Sequence, residues 1–114
     1  MSADGDRLGA LRCWARGDLA LEAAVELITT ALDGRLFSDP WVRQDEAGRL
    51  WFDPAVAEAD QGHLSGGERR VLAIATSLAS SDHPVDIGDA ITGLDPDALD
   101  AVLEALAHAG GADR

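Results

Sequence analysis

Three histidines, His63, His83 and His108, and one cysteine, Cys13, are the chain's candidates for a nucleophile, a proton shuttle or a soft-metal ligand. A metal site in sequence shows ligands at short, regular spacing, such as two His one helical turn apart or a Cys-x-x-Cys pair. Neither pattern occurs. Only Asp82, His83 and Asp86 fall close together, and their expected role is a solvated loop that caps the helix after it. Cys13 stands beside Trp14 on an expected helix face, where its expected role is that of a small buried hydrophobe. Arg12 and Arg16 would favour its thiolate, but the sequence places no activating His or acid beside it. Glu22/Glu26 and Asp95/Asp97/Asp100 have helical spacing, which makes them polar faces or first-turn charges that favour the helix dipole. A general acid–base pair needs a pocket as well, and none is legible. The expectation is a chain that is not an enzyme, with no catalytic residue, no metal ligand and no cofactor.

One stretch carries a stronger signal. Leu64-Ser65-Gly66-Gly67-Glu68, running on through Arg69-Arg70-Val71-Leu72-Ala73-Ile74-Ala75, resembles the signature motif of ABC-type ATPases. Gly93-Leu94-Asp95-Pro96 is similar to that family's D-loop, at about the right distance. The resemblance implies a Ser and two glycines that offer a hydroxyl and backbone N–H groups to a nucleotide phosphate. The parts that hold the nucleotide are missing. A phosphate-cradling loop needs a Gly-Lys-Ser/Thr run, and the chain has no Lys. The position for the Mg²⁺-binding Asp holds Gly88, after no apolar strand, and the position for the catalytic Glu holds Asp89. Ser65 with Glu68 three residues on is also a capping box, which accounts for both residues, so no nucleotide is expected. More broadly, residues 50–111 resemble short uncharacterised proteins of actinobacteria and their phages. The likeness rests on the Ser-Gly-Gly-Glu-Arg helix start, Val85-Asp86-Ile87 and Thr92-Gly93-Leu94-Asp95. It implies a shared fold and supplies no activity.

The charge narrows the partner. Nine Arg and Lys stand against 21 Asp and Glu, a net of −12 over 114 residues. Residues 1–50 sum to −3, residues 51–80 to −2 and residues 81–114 to −7. A surface so anionic repels phosphate backbones and attracts basic partners, although solubility alone would also account for it. The last 45 residues read as a helix-turn-helix: a helix over 68–80, a short one over 86–92, the turn Gly93-Leu94-Asp95, and a longer helix over 96–109. Val85, Ile87, Ala90, Ile91, Leu94, Leu99 and Val102 are placed to pack it. The end that would enter the major groove carries Asp95, Asp97 and Asp100, and residues 71–113 contain neither Arg nor Lys. Specific DNA binders make roughly 6–10 phosphate contacts through such residues, so nucleic acid is not the expected partner. The expected function is a small, acidic, non-catalytic module that binds a protein or a second copy of itself. Its candidate contact is Asp86, Asp89, Asp97, Asp100 and Glu104. A helix-turn-helix regulator and an acidic DNA mimic that occupies a nucleic-acid enzyme are the alternatives.

These residues need a scaffold to position them. The length suits one domain, and 46% hydrophobic residues suffice for a core, but with 4% aromatic it must rest on Leu, Val, Ile and Ala. A single cysteine suits a reducing compartment. The first residues, from Met1 to Asp6, lack a basic-then-apolar signal, and no apolar run reaches 18 residues, so a cytoplasmic chain with no membrane contact is expected. Ala, Asp, Gly, Leu and Arg dominate, which fits a GC-rich source. Asp4 and Asp6 are placed to cap a helix over 7–16, which Gly17 ends. Asp18 caps a central amphipathic helix over 19–33, with Leu21, Val25, Ile28 and Leu32 in its stripe and Gly34 as its stop. Ser38-Asp39-Pro40 turns the chain into a hairpin of 41–43 and 49–52. Its Trp41, Trp51 and Phe52 anchor it on the helices, and Gly48 takes positive φ. Asp53-Pro54 opens a helix over 54–60, Ser65 one over 65–80, and Asp95-Pro96 the last, whose buried face is Leu99, Val102, Leu103 and Leu106. The fold expected is mainly α. It is a small helical bundle in one domain over 1–114, with N-terminal helices and a short β-hairpin over 7–60 and a C-terminal helix-turn-helix-like trihelical unit over 65–109.

Overall fold

Among the described residues, apolar side chains at helical spacing produce six α-helices. A computed structural model describes residues 3–38 and 40–112, with Ala3 and Asp4 described through their backbone only. The helices are α1 (Ala3–Ala15), α2 (Leu19–Thr30), α3 (Pro54–Ala59), α4 (Gly66–Ala79), α5 (Ile87–Thr92) and α6 (Pro96–Ala109). A two-stranded antiparallel sheet, β1 (Val42–Gln44) and β2 (Leu50–Phe52), separates α2 from α3. The protein is thus a mainly α bundle with one short hairpin, as expected. Its radius of gyration, 13.2 Å, is that of a compact chain of this length. No helix among the described residues is long and apolar enough to cross a membrane.

The caps are those the sequence calls for. Asp18, Asp53, Asp86 and Asp95 each accept a hydrogen bond from the backbone N–H three residues on, at the starts of α2, α3, α5 and α6. At α4 the capping box is complete. Ser65 Oγ accepts from the Glu68 N–H at 3.2 Å, and the Ser65 N–H donates to Glu68 Oε1 at 2.8 Å. α1 differs: it begins at Ala3, so Asp6 lies inside the helix, while capping by the Asp4 side chain lies outside the described structure. Asp39, in the turn before the hairpin, is outside it too.

α2 is the axis of the molecule and packs most extensively on α4 and α6. Ala23, Ala24, Val25, Leu27 and Ile28 are buried on it, against Val71, Leu72, Ile74 and Ala75 of α4. α4, α5 and α6 follow one another as the trihelical reading places them, and α2 supplies most of the surface against which α4 and α6 close. The hairpin pairs Val42 with Phe52, Arg43 with Trp51 and Gln44 with Leu50. Val42, Leu50 and Phe52 point inward and β2 lies on α1, while Trp51 is half-buried across from Arg43. Gly48 has φ 85, so the tight turn falls on the residue best able to take it.

Beyond the start of α1 and the exposure of Ile87, two local expectations fail for a packing reason. α2 stops at Thr30 rather than at Asp33, and Ala31 is extended. Leu32, Asp33 and Gly34 then follow with φ of 54, 58 and 76. A non-glycine residue held there costs about 1–2 kcal/mol. The reversal delivers Leu36 and Trp41 to the core, both with no exposed surface, and the Trp41 Nε1–H donates to the Leu36 carbonyl at 2.7 Å. Burying a Trp and a Leu stabilises by more than the strain costs. The second failure is the rotation of α6. Its buried residues are Ala98, Val102 and Ala105, whereas Leu99 and Leu103 are half-buried and Leu106 is 37% exposed. α6 packs extensively on α2, and two of the three residues it buries are alanines, whose small side chains favour close approach of the helices. Ile87, expected in the trihelical core, is 44% exposed at the start of α5.

Candidate interaction surface

The candidate acidic residues divide between two helices and two roles. Asp86 is the N-cap of α5, and its Oδ1 accepts from the Asp89 N–H at 3.1 Å. Asp89 lies in the first turn of α5, and its carbonyl accepts from Arg70 Nη1, which ties α5 to α4. Asp97, Asp100 and Glu104 recur at i, i+3 and i+7 and so share one flank of α6. All five side chains belong to exposed residues. No ion pair forms at Asp97, Asp100 or Glu104 among the described residues, and no group of three or more His, Cys, Asp or Glu is arranged to hold a metal there.

The acidic flank of α6 does not stand alone, because α2 lies beside it in antiparallel sense and its polar face continues the charge. At the α6 start, Asp97 and Asp95 share a cleft of about 320 Å³ with Asp33 and Arg35. Midway, Glu104 faces Glu26 across a cleft of about 190 Å³ floored by Leu27, Ala101 and Ala105. At the far end, a cleft of about 420 Å³ gathers Arg12, Arg16, Glu22, Glu26 and His108. The seam between α2 and α6 is therefore lined with carboxylates along its length and closed at each end by cations. Helical spacing assigns Glu22, Glu26 and Asp33 to the polar face of one helix, and only the antiparallel docking of α2 on α6 joins them to Asp97 and Glu104. Asp86 and Asp89, on α5, and Asp100, on α6, line none of these clefts.

Two polar contacts fix the cationic end. Arg12 forms a fork with Glu26, Nε to Oε2 and Nη2 to Oε1, both at 2.9 Å. The Glu26 carboxylate holds the Arg12 guanidinium above its ordinary pKa. Glu22 accepts from the Gly17 N–H at 3.0 Å and meets His108 Nε2 at 2.8 Å. The backbone hydrogen bond first, and His108 second, hold the Glu22 carboxyl below its ordinary pKa. The pair bridges 86 residues of sequence and ties the end of α6 to the first turns of α2.

The other polar groups have structural work to do. His63 stacks on the buried Trp41 with ring centroids 6.0 Å apart. His83 Nε2–H points its donor at Glu58 Oε2, 3.2 Å away, and Nδ1 shares a hydrogen bond with Ser80 Oγ at 3.0 Å. A Ser, a His and a Glu in line suggest a nucleophile, but Ser80 is the C-cap of α4. There the helix carbonyls converge and would disfavour a developing oxyanion. Ser80 Oγ also accepts from the Asp82 N–H at 3.2 Å, so the three residues close the helix end. Cys13 is exposed rather than buried as expected, and Arg16 Nη2 lies 3.7 Å from its sulfur. Ser65 and Glu68 are engaged by each other, and Arg35 Nη1 lies 3.6 Å from Glu68 Oε2. The backbone N–H of Ser65 holds the Glu68 carboxyl below its usual pKa.

Comparison with protein-family models, with curated proteins and with solved structures finds no match to this chain.

Proposed function

We propose that this protein is a non-catalytic module that binds a basic protein partner along the α2–α6 seam. One observation carries the reading: Asp97, Asp100 and Glu104 stand exposed on α6 with no ion pair among the described residues, and Asp97 and Glu104 line clefts shared with the carboxylates Asp33 and Glu26. Carboxylates left unpaired in a row repel one another, which destabilises the free molecule and is relieved by a cationic partner. Residues 71–113 contribute no Arg or Lys, and the cations beside the seam, Arg35 and Arg12, stand at its two ends. The same charges argue against DNA, because the start of α6 presents Asp95 and Asp97 where phosphates would lie.

The test is affinity capture of the tagged protein from lysate, with mass spectrometry of what is retained. A near-stoichiometric protein is expected, held less tightly as salt rises. Reversing Asp97, Asp100 and Glu104 to Arg should abolish its retention, with reversal of Asp86 and Asp89 as the control on α5. Retention unchanged by the α6 reversal would refute the reading. A captured nucleic-acid enzyme displaced by duplex DNA would identify the module as a DNA mimic; one that is not displaced would make it a scaffold.

A further inference from the structure

α5 is held to the bundle by little. It packs mainly on α4 and gives the buried core a single residue, Ala90. Val85 before it and Leu94 after it are half-buried against the core, whereas Ile87 is 44% exposed. A helix so short does not hold its shape alone in water, so α5 persists through what ties it down. One tie reaches it from α4. The Asp89 carbonyl is among the last four of α5, which find no partner within their own helix. Arg70 Nη1 donates to it, and so does the Thr92 hydroxyl, at 3.0 Å. The guanidinium thus places a cation at the C-terminal end of α5, where the helix dipole favours one. It also lies directly on Gly93, the C-cap. A Cβ at Gly93 would run into Arg70 Cζ, Nε and Nη1. Gly93 has φ −99 and ψ 8, which an L side chain can adopt, so backbone conformation does not call for glycine there. The close approach of Arg70 does. Arg70 belongs to the stretch 64–75 and Gly93 to the stretch 93–96, the two set apart in sequence by their motifs, and their contact gives each residue a structural reason for its place.

We propose that residues 81–94, α5 with its flanking turns, form a strap that opens as one unit while the rest of the bundle stays folded, and that Arg70 seated on Gly93 is the latch that sets how often it opens. Segments with few buried apolar contacts are the ones that open below global unfolding. α5 buries one small side chain, and the hydrogen bond from Arg70 has a charged donor, which makes it stronger than a neutral one. Nothing nearby in sequence replaces that donor. Residues 71–113 contain no Arg or Lys, and Arg69 donates instead to the Gly62 carbonyl at 3.3 Å. Opening carries Asp86 and Asp89 away from α4 and bares the surface of α4 on which α5 packs. The strap is independent of the proposed seam, because α5 lines none of the clefts between α2 and α6.

Hydrogen–deuterium exchange of the full-length protein under native conditions, resolved by mass spectrometry of its peptides, tests both halves of the proposal. The parent is expected to exchange the amides of residues 86–94 well before those of α2 and α6. Arg70→Met keeps the aliphatic stem and removes the donor. It should raise exchange of this segment roughly ten-fold, the scale of one charge-assisted hydrogen bond, and leave α2 and α6 as protected as in the parent. Gly93→Ala should do the same, because its methyl group displaces the guanidinium. In the Arg70→Met background Gly93→Ala should bring no further rise, since alanine can take φ −99 and ψ 8 and restricts the opened chain. Exchange of residues 86–94 at the rate of α2 in the parent would overturn the strap. Exchange unchanged in Arg70→Met would overturn the latch, and so would a rise shared equally by α2, which would make Arg70 a support of the whole fold. Additive acceleration in the double variant would overturn it too, since Gly93 would then serve something other than Arg70.

Discussion

Leu32 and Asp33 show how far a single residue can be driven from its own preference. Both hold φ near 55–60, in the region that L side chains avoid. Leu32 is half-buried and packs against the core, so its strain is offset where it stands. Asp33 is exposed and gains no such contact. Asp33→Gly should therefore stabilise the protein. Relief of about 1–2 kcal/mol of backbone strain exceeds the roughly 0.5–1 kcal/mol of extra entropy a glycine loses. The expected net gain is about 0.5–1 kcal/mol in urea unfolding, and a loss of stability would show that the Asp33 carboxylate has a supporting role. By contrast, Ser65, Glu68, Asp18, Asp53, Asp86, Asp95 and Gly48 do locally what their residue types allow, and all were legible in sequence. Each acts on a backbone group within a few residues, which is why composition and spacing suffice to place them.

At the scale of elements, helix existence was legible and helix orientation was not. Among the described residues, five of the six helices lie where caps and periodicity put them, within a few residues, and α1 starts ahead of its expected cap. The burial of α6 was misread because hydrophobicity ranks Leu above Ala, whereas packing against α2 selects side chains that let the backbones approach. This makes a pair of opposed expectations. Ala105→Leu adds volume at a site 4% exposed and should destabilise by about 1–3 kcal/mol. Leu106→Ala removes a side chain that is 37% exposed and should cost well below the ~2–5 kcal/mol of a buried leucine truncation. Chemical denaturation of the two variants decides it. A larger loss in Leu106→Ala than in Ala105→Leu would mean that α6 is turned the other way, and Leu99, Leu103 and Leu106 would then be core.

At the scale of the whole molecule, charge and topology act together. Glu22 and His108 join the first turns of α2 to the last turn of α6, the longest sequence separation among the side-chain contacts described. Glu22 and Glu68 both titrate below their ordinary value of 4.5. Their unfolded forms therefore bind protons more readily than their folded forms. Stability from this source is full at neutral pH and is lost as pH falls below about 5 toward the lowered folded values. Glu22→Gln should thus be less stable than the parent at pH 7, with the difference shrinking on acidification. A difference that stays constant down to pH 3 would show that the contribution of Glu22 is not electrostatic.

The sequence by itself determined the helices, their caps, the hairpin turn and the sign of the surface, because each depends on neighbours within one or two turns or on a simple sum of charges. Tertiary structure alone decided which flank of each helix faces inward, and hence everything proposed about binding. The carboxylates of α2 and α6 become one seam only when the helices lie antiparallel, and the leucines of α6 become surface only when alanines claim the interface. The break in α2 belongs with these. Nothing within residues 31–34 requires a left-handed turn; Leu36 and Trp41 impose it by finding their place in the core.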